Sequence, residues 1–252
     1  MIAPEYLLSL REFEVLWQTL RLGRMPYPLD VPSEGATEQE LKALQNRTLA
    51  GLRDRGLADD VQLEDLLRLL GDHEVSVDAV AGLDRTLRAL AASDGRRAVL
   101  AIIDDDRIGL LEIRPTGLAR EIVQVLPEGE AGPGSALSVR VDALQQAVAL
   151  QEAEEEDSED PWGAAEDELD DRQALQRAGL SGQDAKQVSE LAAARVAGGQ
   201  FGVTRRQQRS DVVINWFDTH QGRYLMVNSD GWLSVSPSDN GRIAARIDSV
   251  LA

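Results

Sequence analysis

The residues with the most chemical potential are the acids and the few histidines. Asp104, Asp105 and Asp106 are consecutive, and three carboxylates together suit a divalent cation or a metal-dependent hydrolase. They lack the later bidentate glutamate of a calcium loop, so an acidic hairpin turn is the competing reading. The two histidines, His73 and His220, are far apart and each lies beside a turn signal. His73 follows a helix pattern, and the helix C-terminus there would favour a partly positive imidazole. Gly129, Gly132 and Gly134 form a glycine-rich stretch that opens no dinucleotide or phosphate loop; it reads as a flexible linker. Arg205, Arg206 and Arg209 make the one basic cluster, suited to a strand end or to tethering an acidic segment.

Composition narrows these options. The 252 residues carry a formal charge of −18, which repels phosphate backbones and argues against nucleic acid as a partner. Twelve acids fall within 151–171 with no Lys or Arg among them; without them the charge would be −6. That stretch is expected to be a disordered linker, with Trp162 inside it. Cysteine is absent, so thiolate metal sites and disulfides are excluded. No apolar run approaches the roughly 18–20 residues that span a bilayer, and 1–6 does not resemble a signal peptide. A cytoplasmic protein, a monomer or homodimer without cofactor or membrane insertion, is the expectation.

The elements follow from periodicity and breakers. In 210–252, Val212, Ile214 and Trp216 alternate with Val213, Asn215 and Phe217, a period of two. Gly222 and the Asp230-Gly231 turn cut this region into three strands, Pro237 ends the third, and Ile243 and Ile247 mark a closing helix. The same order, strand, turn, strand, proline, helix, occurs at 97–126, with Pro115 in the equivalent place. Two similar halves are implied.

Three helices precede the first meander. Ser9 with Glu12 and Thr37 with Glu40 fit capping boxes, and Leu63, Leu66, Leu67, Leu69 and Leu70 mark the third helix. The stretch 74–81 alternates as a strand, 86–92 reads as a strand although its leucines and alanines also suit a helix, and Ser93-Asp94-Gly95 is a hairpin turn. Three helices followed by a hairpin also fit a winged-helix regulator. The expected organisation is an N-terminal half at 1–128, a crossover strand and helix at 129–150, the acidic linker at 151–171, and a C-terminal half at 172–252, all in one compact unit. Two helices at 175–196 and a strand from Phe201 open the second half. Trp216 and Trp232 lie on neighbouring strands of the last meander. Either is core, or an aromatic anchor on an open sheet face.

Several stretches resemble the EspG family. They include Glu12-Phe13-Glu14-Val15-Leu16-Trp17, Pro26-Tyr27-Pro28-Leu29, Arg53-Asp54-Arg55-Gly56-Leu57 and Val75-Ser76-Val77-Asp78. Arg114-Pro115-Thr116-Gly117-Leu118, Gly222-Arg223-Tyr224-Leu225 and Asp230-Gly231-Trp232-Leu233 continue it. The resemblance implies an α+β fold with a central antiparallel sheet, flanking helical bundles and two quasi-symmetric halves. It also implies a non-catalytic chaperone of type VII (ESX) secretion, which binds the apolar helical tip of a PPE protein in a PE–PPE pair. The contact surface implied is the sheet, the loop between the second and third strands, and the C-terminal helices. On this chain it corresponds to Ala81, Gly82, Leu83, Asp84 and Arg85, with Val212, Ile214, Trp216 and Trp232 on the sheet.

Overall fold

The computed structural model describes residues 3–31, 38–157 and 167–252. In chain order the elements are β1 (Tyr6–Ser9), α1 (Leu10–Thr19), α2 (Glu38–Asp54), α3 (Val61–Gly71), β2 (Val75–Gly82), β3 (Thr86–Ser93), β4 (Ala98–Asp104) and β5 (Arg107–Ile113). After a 3-10 turn at Pro115–Gly117 come α4 (Leu118–Val123), β6 (Leu137–Arg140), α5 (Val141–Asp157), α6 (Asp167–Arg177) and α7 (Gly182–Ala193). The chain closes with β7 (Arg195–Arg205), β8 (Gln208–Arg209), β9 (Ile214–Thr219), β10 (Gly222–Ser229), β11 (Trp232–Pro237) and α8 (Asn240–Leu251). This is the expected α+β class with antiparallel strands. The order strand, turn, strand, proline, helix is present twice, as β4–β5–α4 and β10–β11–α8.

The chain divides into two compact units rather than one. The first holds Met1–Glu128, Gly199–Asp211 and Asn240–Ala252; the second holds Gly129–Gly198 and Val212–Asp239. One division falls after Glu128. The C-terminal half, however, is not a unit of its own, because the end of β7 and all of α8 belong to the first.

In the first unit the strand order is β1-β5-β4-β3-β2, followed by the later residues of β7. Leu90, Ala92, Val99, Ala101, Ile108 and Leu110 share one face and pack against Phe13, Leu16 and Trp17 of α1 and the leucines of α3. The opposite face carries the small residues Ala79, Ala89 and Ala91, which allow α4 to lie close on β2 and β3. In turn α8 packs on α4. The helix ends are set locally. Ser9 and Glu12 form the predicted capping box, at 3.2 and 2.8 Å, and Asp60 caps α3 through the Leu63 N–H at 2.9 Å. Thr37, of the second predicted box, lies outside the described residues. The alanine-rich 86–93 segment is a strand because β2 and β4 pair with it on both sides, so pairing overrides its helical propensity. This also removes the basis for a winged helix, since β2 and β3 are inner strands rather than a two-stranded wing.

In the second unit the first residues of β7 are followed by β9, β10, β11 and β6. Two small clusters fill it. Ala147, Ala174, Leu175 and Ala185 join α5, α6 and α7, while Phe217, Tyr224 and Val235 pack beneath Leu191 of α7. The acidic stretch is not all linker: 151–157 continues α5 and 167–171 begins α6. The residues between, Trp162 included, lie outside those described. Arg195 and Val196, expected in a helix, begin β7 instead.

Candidate partner-binding face

Of the β2–β3 residues, Ala81 is buried, Leu83 is half-buried, and Gly82, Asp84 and Arg85 are exposed. The tip is tied down. The Arg85 guanidinium chelates the Asp104 carboxylate at the β4–β5 turn, with Nη2 to Oδ2 at 2.7 Å, and that contact holds the Asp104 carboxyl below the usual carboxylate range. Asp104 is thus half of an ion pair, and Asp105 occupies the left-handed position of the turn at φ 58°. Among the described residues no three His, Asp or Glu side chains converge as a metal site.

The sheet positions divide sharply. Trp216 pairs with Leu225, Leu225 with Ser236, and Ser229 with Trp232. Cross-strand partners share a face, so both tryptophans lie on the same one. Yet Trp216 is 1% exposed and Trp232 is 49% exposed. Arg223 lies over the buried one. Its side chain is fully buried and lies 4.7 Å over the Trp216 ring. Its Nε and Nη2 donate to the two Asp218 oxygens at 2.7 and 2.8 Å. A planar guanidinium can stack on an indole and fork onto a carboxylate at once.

The glycine-rich stretch fixes that arginine. Arg223 N–H donates to Glu130 O at 2.8 Å and Gly132 N–H donates to Arg223 O at 3.0 Å. A Cβ on Gly129 would sit 2.6 Å from the guanidinium carbon, and one on Gly132 would strike the Tyr224 ring. Tyr224, on the opposite face, stacks on Phe217 at 5.2 Å and donates its hydroxyl to Pro133 O at 2.9 Å. The predicted linker is therefore a packed strap whose glycines admit side chains from β10. Ile214 and Trp216 are interior and cannot meet a partner directly; Val212 is half-buried just before β9.

Beyond Arg223 the same face opens. Leu225 and Val227 are half-buried, while Trp232, Ser234 and Ser138 are exposed, the two hydroxyls 3.1 Å apart. Leu225 and Val227 are absent from the sequence-based set. Their signal was the strand period, carried one hairpin past Trp216. At the β6 edge a cleft of about 510 Å³ is bordered by Trp232, Arg140, Asp142 and the α6–α7 turn.

The remaining charged groups have structural tasks. Arg209 binds the buried Asp78 carboxylate at 2.6 and 3.0 Å and lies 5.6 Å over the Tyr27 ring. His73 is 3.0 Å from Leu70 O. Burial pushes its pKa down, outweighing that hydrogen bond and the nearby Asp72. The neutral ring is favoured, contrary to the partly positive imidazole expected at a helix end.

The class defined by this arrangement is an α+β protein of antiparallel strands and helical layers, with a half-open sheet face at one edge. A family model described as the EspG family matches residues 9–249, and the chain belongs to that family. Among solved structures, the type VII secretion system chaperone EspG5 of Mycobacterium tuberculosis, in complex with a PE25–PPE41 dimer, has the same fold. The TM-score is 0.72 at 14% identity, over 98% of this chain and 95% of that one. No curated protein sequence matches the chain.

Proposed function

We propose that this protein is a chaperone of type VII secretion that binds the apolar helical tip of a PE–PPE-type client and keeps it soluble before export. Membership of the EspG family supports this role. So does the likeness in fold to a chaperone whose structure holds a PE25–PPE41 dimer. The observation that carries the reading on this chain is the open half of the second unit's sheet. Leu225, Val227 and Trp232 form an apolar row there, bordered by serine hydroxyls. Such a row suits an amphipathic helix, whose apolar stripe it would cover. Trp232 is the anchor. Ile214 and Trp216 support the face from within, and Val212 and the β2–β3 tip at 82–85 are further contacts.

The protein acts by binding and performs no catalysis. It works in the cytoplasm, where an unexported client needs protection. Its net charge of −18 sets it against nucleic acid. Among the described residues, no helix is long and apolar enough to cross a membrane. The test is co-expression with PE–PPE pairs followed by size exclusion. A co-eluting complex is expected. If every pair folds yet elutes apart from the well-folded protein, the reading is overturned.

A further inference from the structure

The cleft beside Trp232 has an electrostatic character distinct from the apolar row. One wall is the exposed indole of Trp232, whose π-face attracts cations. Two carboxylates border it, Asp142 at the start of α5 and Asp184 in the first turn of α7. Arg140 also lines it, but its guanidinium is already chelated by Asp142, so the charged groups leave one negative charge in excess. Asp184 is oriented by Ser181, whose hydroxyl donates to Oδ2 at 2.7 Å and accepts from the Asp184 N–H at 3.1 Å. The floor is the C-terminal end of α6, turned at Gly179 with φ 96°. That end carries partial negative charge, and the N-terminal turns of α5 and α7 beside it carry partial positive charge, so the helix ends do not set the sign of the cleft.

The indole face and the Asp184 carboxylate favour the same kind of occupant, a cation. A purely apolar side chain would leave Asp184 facing hydrocarbon, which is costly for a carboxylate. A hard divalent cation wants six or more oxygen ligands, for which two carboxylates and an indole are a poor match. We propose that this cleft is a subsite for a cationic side chain of the client, an arginine or lysine that stacks on Trp232 and donates to Asp184. The inference rests on the binding role proposed above. It makes client recognition bipartite: an apolar helix stripe on Leu225 and Val227, and a basic residue at the β6 edge.

A probe that needs no client separates this proposal from the chaperone reading. The full chain is titrated with arginine amide and, in parallel, with its neutral isostere citrulline amide, following backbone and indole N–H signals by NMR. Saturable shifts of the Trp232 indole and the Asp184 amide are expected with arginine amide alone. Trp232→Leu should abolish the Asp184 amide shift, and Asp184→Asn should weaken the indole response roughly tenfold, the loss of one charge-assisted hydrogen bond. Equal responses to both amides, or none to arginine amide, overturn the proposal. Thermal melting of the variants checks that both fold. In the client complex, Asp184→Lys should weaken binding at least tenfold while Trp232→Phe retains most of it. Unchanged binding by Asp184→Lys would also overturn the proposal. An arginine response without any client complex would sink the chaperone reading alone.

Discussion

The two units hide their sheets with very different amounts of apolar material. In the first, α3 alone contributes Leu63, Leu66, Leu67, Leu69 and Leu70, and helices lie on both faces. In the second, the helices meet through Ala147, Ala174, Leu175 and Ala185, and half of one sheet face stays open. A buried leucine contributes several methylenes' worth of transfer free energy more than an alanine, about 0.8 kcal/mol for each. The first unit is therefore where stability is concentrated. The second leaves apolar side chains such as Trp232 in solvent, the surface proposed above for the client.

The sharpest test of that contrast is a core deletion in each unit. Leu66→Ala in the first should cost about 2–5 kcal/mol in urea unfolding followed by fluorescence, because Leu66 is fully buried among leucines. Leu175→Ala should cost less, and an equal loss would break the comparison. Next in size is Gly132→Ala. Its Cβ meets the Tyr224 ring, so about 1–3 kcal/mol is expected from overpacking, with loosening of the Trp216 environment in the near-ultraviolet circular dichroism. Trp232→Ala should change stability by no more than about 0.5 kcal/mol while reducing client binding strongly, as measured by titration calorimetry. A large stability loss would make Trp232 a core residue of its unit.

The smallest effect concerns pH and the first unit. Burial lowers the His73 pKa, so the unfolded chain takes up the proton first as pH falls below about 6.5. The stabilisation from keeping the ring neutral is full above that value and declines as pH falls through it. Urea midpoints should drop on acidification, and the drop should be shallower in His73→Gln. An identical slope in both proteins would remove His73 as the cause.

Much of the framework was legible because it is written in local patterns. The Ser9–Glu12 box, the Asp94-Gly95 turn and the repeated strand–turn–strand–proline–helix order depend on residues adjacent in sequence. What escaped depends on groups brought together from afar. The 129–134 stretch has the composition of a linker, and only the approach of Arg223 and Tyr224 shows why glycines are required there. The two tryptophans have the same alternation and the same face, so period alone could not separate them. Over the buried one lies an arginine whose own burial no local rule anticipates. The acidic run misled at its two ends: repulsion among like charges predicts disorder, whereas α5 runs on through 151–157 and α6 starts within the run at Asp167.

That arginine has one more consequence. Its planar fork meets both Asp218 oxygens while its flat face lies over the indole, so it is held in one orientation where a lysine ammonium could swivel. The group over Trp216 therefore stays in one place, and it marks where the sealed part of the face gives way to the exposed part.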